Sequence, residues 1–174
     1  MRKSCAARLR TVLSVSSASG RLEDDLAELS RAELEFLRYD WELWAREEQL
    51  PPLCTAVPGG RLPAGESPGT TKEWRVWMLL GGRGSGKTRA GAEWVRARAC
   101  DPDNGHEARI ALVGKTIGDV RSVMIEGVSG LLAIHPDHER PLFEISKRQL
   151  TWPNGAIAQM FGADEADQLR GPQF

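Results

Sequence analysis

The spacing of hydrophobic residues in the first third of the chain is that of a helix. An N-terminal helical segment is predicted over residues 30–50, because its apolar side chains recur every three or four positions. These side chains are Leu34, Leu37, Trp41 and Trp44. Ser30 and Glu33 have the spacing of a capping box at its start, and residues 22–29 predict a shorter helix before it. The apolar face indicates a helix packed on a neighbouring core, with a surface that docks a partner as the alternative.

Apolar runs in the second half of the chain predict short strands. They cover residues 76–80, 109–113, 142–145, 149–152 and 156–161. The sequence Pro-Asn-Gly at residues 153–155 predicts a β-hairpin between the last two strands. Residues 89–99 predict a helix between the first two, and this order of strand, helix and strand suggests a right-handed parallel crossover. The sequence therefore predicts an α/β fold with a β-hairpin excursion.

Two further helical segments are predicted from capping and charge. Thr116 can cap a helix over residues 117–126. The side chains expected to face inward there are Val120, Val123 and Met124. Three acidic residues follow the last strand, at Asp164, Glu165 and Asp167. We interpret them as the solvated start of a short helix, rather than as a metal site.

Two segments lack a periodic apolar pattern. Residues 51–72 contain five prolines together with several glycines, so a linker or surface loop is predicted there. Residues 1–29 are expected to form a disordered or weakly helical extension. Their first 20 residues are basic, rich in Ser and Ala and free of acidic residues, which superficially resembles a targeting peptide. Serines interrupt the apolar centre of this stretch, and a disordered extension is therefore the preferred interpretation.

A glycine-rich loop between the first predicted strand and helix is the strongest candidate for chemistry. Residues 81–88 read GGRGSGKT and fit the phosphate-loop pattern GxxxxGK[ST]. The residues expected to bind nucleotide are Gly81, Gly82, Arg83, Gly84, Ser85, Gly86, Lys87 and Thr88. Glycines leave main-chain N–H groups free to converge on phosphate oxygens, and a helix that starts near Lys87 favours the same anion. The loop therefore predicts ATP and Mg²⁺ as ligands.

Individual side chains of the loop have distinct expected roles. Lys87 should reach the β- and γ-phosphates, and the Thr88 hydroxyl should join the shell of a Mg²⁺ ion. The guanidinium of Arg83 could contact the γ-phosphate or a neighbouring acidic group. Gln49 could hydrogen-bond the edge of an adenine, because an amide offers both a donor and an acceptor. Hydrolysis also needs a carboxylate at the end of a neighbouring apolar strand. No predicted strand after Lys87 ends in Asp or Glu, so we expect the chain to stop before that strand.

Composition narrows the class of protein. A length of 174 residues is that of one domain, and a net charge of −1 gives no general basic surface, so any DNA contact would be local. Cys5, Cys54 and Cys100 are too few and too widely spaced for a disulfide framework, which indicates ordinary thiols in a reducing compartment. His135 and His138 lie in a polar stretch without a further ligand. No apolar run approaches the length of a membrane span.

The combination of motifs resembles the large terminase subunit of tailed bacteriophages and the related packaging proteins of prophages and gene transfer agents. The matching stretches are YDWELWAR from Tyr39, LLGGRGSGKTRAGAEWVRARA from Leu79, RIALVGKT from Arg109, VMIEGVSGLLAIHP from Val123 and LTWPNGAIAQMFGADEADQLRGPQF from Leu150. Together they cover about residues 30–174. This combination is far more specific than the phosphate loop alone.

The resemblance implies an ATP-driven motor that moves double-stranded DNA into a capsid, with a nuclease domain following the ATPase domain. Residues 73–174 would then be the first part of an incomplete P-loop NTPase domain of the additional-strand, RecA-like class, truncated before the Walker B strand. In this family Lys87 and Arg83 correspond to catalytic residues, and Gln49 to an adenine contact, although the long Pro/Gly segment after Gln49 departs from the pattern. The strands at residues 76–80 and 109–113 would be separated by strands from later in the chain.

The resemblance also implies partners and a location. Double-stranded DNA, a portal protein and a small terminase subunit are the expected partners of a homo-oligomeric ring in the cytoplasm of a bacterial host cell. Two alternatives stay open from the residues alone. One is a different P-loop enzyme such as a small-molecule kinase, and the other is a non-catalytic remnant that acts as an interaction module.

Overall fold

The computed structural model describes residues 2–51 and 76–170. Its α-helices are α1 (Arg2–Ala18), α2 (Leu22–Ala27), α3 (Arg31–Tyr39), α4 (Trp41–Trp44), α5 (Lys87–Ala99), α6 (Ile117–Asp119) and α7 (Leu131–Ile134). The strands are β1 (Arg109–Gly114), β2 (Leu142–Glu144), β3 (Gln149–Thr151) and β4 (Ile157–Gly162). Short 3₁₀ helices lie at Glu47–Gln49, Gly105–Glu107, Ile145–Lys147 and Ala163–Arg170, and α6 continues as a π-helix over Val120–Ile125.

The four strands form one mixed sheet in the order β1-β4-β3-β2. Strands β1 and β4 are parallel, with Arg109 opposite Ile157, whereas β3 is antiparallel to both β4 and β2. The hairpin predicted at residues 153–155 is confirmed as the turn between β3 and β4. Its tip needs a glycine, because Gly155 has a φ of +94°. The α/β fold and the hairpin excursion are as the hydrophobic pattern predicts.

The hydrophobic core lies where the sheet meets α5, α7 and the π-helix. Its buried side chains include Val95, Leu112, Val120, Ile125, Leu131, Ile134, Leu150, Trp152, Ala158 and Met160. His135 is also fully buried, which corrects its assignment to a polar loop. The indole Nε1 of Trp152 donates to Nε2 of His135 at 2.9 Å, and Nδ1 of His135 lies 2.6 Å from the carbonyl oxygen of Leu131. Since Nε2 accepts, Nδ1 carries the proton and donates to Leu131.

The helical segment after β1 begins as predicted and then changes its winding. Thr116 caps it, because the hydroxyl of Thr116 accepts from the backbone N–H of Asp119 at 3.1 Å. The buried positions are Val120 and Ile125, whereas Val123 is 49 % exposed. The inward orientation predicted for Val123 is therefore wrong. A π-helix has more residues per turn than an α-helix, so the residue five positions on faces the core again.

Most of residues 2–29 are helical. Where a disordered or weakly helical extension was expected, the structure has the 17-residue helix α1, followed by α2. The guanidinium of Arg10 donates to the carbonyl oxygens of Glu42 and Leu43. The serines that interrupt the apolar stretch include Ser16, which is buried and donates to the carboxylate of Asp25. Polar groups within α1 thus find partners in later helices instead of water.

The helical segment predicted over residues 30–50 is broken in two places. Its capping box is confirmed, since Ser30 and Glu33 bond to each other's backbone N–H groups. The helix ends at Tyr39, because Asp40 adopts an extended backbone with ψ of 94°, and Ala45 interrupts it again. The apolar face lies along a groove of about 1170 Å³ lined by α1 to α4. Within this face Leu34 and Trp44 remain 40 % and 58 % exposed.

The strand predicted at residues 76–80 does not form. Residues 76–82 have no regular secondary structure, and Val76, Met78 and Leu80 are 79 %, 72 % and 85 % exposed. A strand needs a hydrogen-bonded neighbour, and the described sheet pairs β1 with β4 alone. The predicted parallel crossover from residues 76–80 to β1 is therefore wrong for the described chain. Most of the predicted Pro/Gly loop at residues 51–72 lies outside the described residues.

Candidate functional site

The glycine-rich loop, residues 81–88, makes two turns that only glycine accommodates easily. Gly84 and Gly86 have φ values of +78° and +81°, in the left-handed region. Gly86 is also the last residue before α5, and the first helical hydrogen bond runs from the N–H of Ala90 to the carbonyl of Gly86 at 2.9 Å. The loop therefore leads directly into α5, with its main chain close to the helix N-terminus.

The side chain of Lys87 folds back over the loop. Its ammonium donates to the carbonyl oxygens of Gly81 and Gly82, each at 2.7 Å, and to the hydroxyl of Ser85 at 3.2 Å. A Cβ atom at Gly81 would lie 2.7 Å from the same Ser85 hydroxyl, so a side chain there would disturb this arrangement. The loop thus surrounds a fixed positive charge.

Arg83, Thr88 and the beginning of α5 complete the surface of the loop. The side chains of Arg83 and Thr88 are exposed to solvent. Helix α5 has no side-chain cap at its N-terminus. The N–H groups in the first turn of an uncapped helix lack intrahelical partners and favour an anion. The structure thus brings every predicted residue of the loop, from Gly81 to Thr88, to one exposed helix start.

Gln49 also reaches the loop, from a distant part of the chain. Its Nε2 donates to the carbonyl oxygen of Ser85 at 3.0 Å. Arg46 donates to the same oxygen through Nη2 at 2.6 Å. Sequence reasoning missed Arg46, because no local pattern marks an arginine whose partner lies 39 residues away. Two side chains of the N-terminal segment therefore meet at one peptide of the loop.

A buried carboxylate of α5 lies between two arginines of the same helix. The carboxylate of Glu93 is almost completely buried, and burial raises its pKa despite the opposing guanidinium of Arg89 at 2.7 Å. Arg96 lies 3.6 Å from Glu93, pairs with Glu139 at 2.7 Å and donates to the carbonyl of Tyr39 at 3.0 Å.

The N-terminal helices also contact the same face of α5. Arg89 lies 5.5 Å from the ring centroid of Trp41, which is a cation–π distance. These contacts, together with those of Arg96, attach the N-terminal segment to α5. That attachment brings Arg46 and Gln49 within reach of the loop.

The acidic, histidine and cysteine side chains of the described residues are the other candidates for a site. Among residues 2–51 and 76–170, no group of three or more His, Cys, Asp or Glu side chains is arranged to bind a metal ion. Asp164, Glu165 and Asp167 are exposed in the 3₁₀ segment Ala163–Arg170, which has a kink at Glu165, as expected of a solvated helix start. Cys100 is a free thiol whose pKa is raised to about 11, first by burial and then by the Glu139 carboxylate. None of the described helices is both long enough and apolar enough to cross a bilayer.

The fold and the loop define an α/β protein with a candidate anion-binding loop at the start of a helix. A family model described as "Terminase large subunit, T4likevirus-type, N-terminal" matches residues 78–174, which is more than half of the chain. The chain therefore belongs to the family of terminase large subunits. No curated protein and no solved structure matches it. Membership suggests a role in a DNA-packaging motor, with DNA and packaging proteins as partners in general. Large terminase subunits are generally ATPases.

Proposed function

We propose that residues 81–88 form a P-loop that binds the phosphates of ATP with Mg²⁺, and that the chain is the nucleotide-binding part of a motor driven by ATP hydrolysis. The observation that carries this proposal is the position of the Lys87 ammonium within the loop, at the uncapped start of α5. A cation, two left-handed glycines and free helix N–H groups make a site suited to a polyphosphate.

The residues present fit this ligand. The left-handed glycines Gly84 and Gly86 bear no side chain that could stand between the main chain and a phosphate. The hydroxyl of Thr88 is exposed next to Lys87 and would join the coordination shell of Mg²⁺. The bound metal would supply charge neutralisation on the phosphate oxygens.

Lys87 must exchange partners to take part in binding. An ammonium has three N–H donors, and those of Lys87 are used by Gly81, Gly82 and Ser85. Contact with a phosphate therefore requires at least one of these bonds to break. The exchange is favourable because a hydrogen bond between two charged groups is stronger than one to a neutral carbonyl. Arg83, which is exposed on the loop, would add a second positive charge near the γ-phosphate.

The wider role follows from the family. The cargo of the proposed motor is double-stranded DNA that enters a capsid, and its partners are a portal protein and a small terminase subunit. The working unit is a homo-oligomeric ring in the cytoplasm of the bacterial host. Family membership over residues 78–174 supports these proposals, since that range includes the loop, α5 and the whole sheet.

Binding of ATP to the full chain tests the loop directly. Calorimetry with ATP and Mg²⁺ should give binding by the wild type, and Lys87→Ala should weaken it at least tenfold, because the loop loses its central cation. Lys115→Ala is the matched control, since Lys115 is an exposed lysine that follows β1 and lies outside the loop. Equal affinities for ATP in wild type and Lys87→Ala would contradict the proposal.

A further inference from the structure

One carbonyl oxygen of the glycine-rich loop receives two side-chain donors from a distant segment. The carbonyl oxygen of Ser85 accepts from Arg46 Nη2 at 2.6 Å and from Gln49 Nε2 at 3.0 Å. The two donors are also joined to each other, because Gln49 Oε1 accepts from the backbone N–H of Arg46 at 2.9 Å. The 3₁₀ turn Glu47–Gln49 is thereby closed on itself and attached to the loop at one point.

The position of this oxygen fixes the N–H group on the other side of the same peptide. The carbonyl of Ser85 and the N–H of Gly86 belong to one peptide unit, which is trans, as are all those described. In a planar trans peptide these two groups point in opposite directions. Two donors that hold the Ser85 oxygen therefore direct the Gly86 N–H away from Arg46 and Gln49.

Gly86 is adapted to this contact in two ways. Its φ of +81° is costly for any other residue. A Cβ atom at Gly86 would also collide with Nε2 of Gln49, with Arg46 Nη2 only 3.8 Å away. The absence of a side chain thus allows the amide of Gln49 to approach the peptide that it holds.

The charge of Arg46 adds to the effect of geometry. A hydrogen bond from a guanidinium to a carbonyl is charge-assisted and is stronger than one between neutral groups. Such a bond polarises the peptide, which strengthens the N–H of the same unit as a donor. Arg46 is an exposed residue, so its position depends on this contact rather than on burial.

We propose that Arg46 and Gln49 are positioning residues that orient the Ser85–Gly86 peptide so that the Gly86 N–H can bind a phosphate oxygen. The inference rests on the proposed function, because the phosphate is that of the bound nucleotide. It also gives Gln49 a role different from the adenine contact that the sequence suggests. In the structure its amide oxygen accepts from the backbone N–H of Arg46, and its amide nitrogen donates to the carbonyl oxygen of Ser85.

A comparison of two ligands separates the two roles. Inorganic tripolyphosphate has the phosphates of ATP but no base, so residues that position the loop should affect both ligands equally. We expect Arg46→Ala and Gln49→Ala each to weaken the binding of tripolyphosphate and of ATP, with Mg²⁺ present, by the same factor of about ten. Matched controls are Arg31→Ala and Gln168→Ala, which change exposed residues of α3 and of the 3₁₀ segment Ala163–Arg170 and should leave both affinities unchanged.

Two results with these variants would overturn the inference. If ATP binds more weakly to Gln49→Ala but tripolyphosphate binds as before, Gln49 contacts the base. If Arg46→Ala weakens both ligands while the neutral change Gln49→Ala weakens neither, Arg46 acts by its charge alone. Failure of the proposed function has a different signature, in which the wild type binds neither ligand or Lys87→Ala binds both as well as the wild type does.

The amide of Gly86 gives a second readout that needs no ligand. In ¹H–¹⁵N spectra of the full chain without nucleotide, Arg46→Ala and Gln49→Ala should each shift the Gly86 amide resonance, because the peptide loses a donor at its carbonyl. Arg46→Lys should shift it less, since lysine keeps one charged donor. A Gly86 resonance that stays in place in both alanine variants would show that the contact does not orient the peptide.

Discussion

The two ends of α5 lie in contrasting surroundings, although one helix of 13 residues connects them. At the C-terminal end, Ala99 is fully buried and its carbonyl accepts from the side chain of Asn154 at 2.6 Å. At the N-terminal end no side chain caps the helix, and Lys87 and Thr88 are exposed. The C-terminal end is completed by the fold, whereas the N-terminal end has uncapped N–H groups and an exposed cation that is bonded only within the loop.

The regions beyond these two ends are held together by different forces. The sheet side is stabilised by burial, with Trp152 and its partner His135 at 2 % and 0 % exposure. The loop side is held by hydrogen bonds from Arg46 and Gln49 to a single carbonyl, while Val76 and Leu80 beside the loop are exposed. Burial contributes more to stability than exposed polar contacts do. Substitutions on the sheet side should therefore unfold the chain, and those on the loop side should change binding.

Replacement of Trp152 is the most severe test of this division. Trp152→Ala removes a buried indole and leaves Nε2 of His135 without its donor, so the free energy of unfolding should fall by about 3–5 kcal/mol. Trp44→Ala, in which the side chain is 58 % exposed, should cost about 1 kcal/mol or less. Urea unfolding followed by circular dichroism measures both values. Equal losses of unfolding free energy in Trp152→Ala and Trp44→Ala would show that burial does not decide which region stabilises the chain.

Acid should weaken the sheet side through His135. Burial lowers the pKa of His135 to about 4 in the folded chain, whereas an unfolded histidine titrates near the ordinary value of 6.5. Between these two values the unfolded chain binds more protons, so the free energy of unfolding falls as the pH falls from 6.5 to 4. The loss is at most about 3 kcal/mol, from the size of the shift. Unfolding in urea across this pH range measures the dependence.

The variant His135→Leu isolates this contribution. Glu93 remains in both proteins, and its pKa, raised by burial, acts in the opposite direction, since a folded state that holds a proton gains stability as the pH falls. The difference between the two curves therefore belongs to His135. The free energy of unfolding of the wild type minus that of the variant should fall steadily from pH 6.5 to pH 4. A difference that is independent of pH would show that His135 does not stay neutral in the fold.

Several sequence signals that act over a few residues are confirmed by the structure. The capping box of Ser30 and Glu33, the cap at Thr116 and the hairpin at residues 153–155 all depend on local hydrogen bonds, and all three are confirmed. The strands β1 and β4 were also predicted to within one residue at each end. Local chemistry is sufficient for such features because the partners are neighbours in sequence.

Features that depend on distant residues could not be read from the sequence. His135 lies in a locally polar stretch, yet it is buried and its ring accepts from Trp152, which is 17 residues away. The apolar residues 76–80 have the composition of a strand, but a strand also requires a neighbour in the sheet. Arg46 matches no pattern by itself, and its contact with Ser85 spans 39 residues. The glycine-rich loop was recognisable because its chemistry is contained in eight consecutive residues.

An intermediate effect on stability is expected from the hydrogen bonds at the C-terminal end of α5. Asn154→Ala removes a donor to the carbonyl of Ala99 and an acceptor for the N–H of Ala156, both of them partly buried. The free energy of unfolding should fall by about 2 kcal/mol, because both backbone groups lose their side-chain partner. Asn104→Ala changes an exposed asparagine in a turn and should cost less than about 0.5 kcal/mol. Similar losses in urea unfolding for the two variants would show that Asn154 does not complete this helix end.

The smallest effect on stability is expected at the opposite end of α5, where two glycines form a matched pair. A methyl group at either Gly82 or Gly84 would meet no atom within 4 Å, so neither substitution creates a clash. Only Gly84 has a left-handed φ, of +78°, in which alanine is strained. Gly84→Ala should therefore cost about 1 kcal/mol or change the turn, whereas Gly82→Ala should have almost no effect on stability.

The affinity for tripolyphosphate shows whether this turn serves binding. We expect Gly84→Ala to bind tripolyphosphate with Mg²⁺ several-fold more weakly, because relief of the strain redirects the main-chain N–H groups of the loop. Gly82→Ala keeps its backbone and should bind as the wild type does. A loss in Gly82→Ala equal to that in Gly84→Ala would mean that added bulk, and not backbone conformation, blocks the ligand. Unchanged binding in Gly84→Ala would show that this turn is not part of the phosphate site. The N-terminal end of α5 would then no longer differ from the C-terminal end as a region that serves binding.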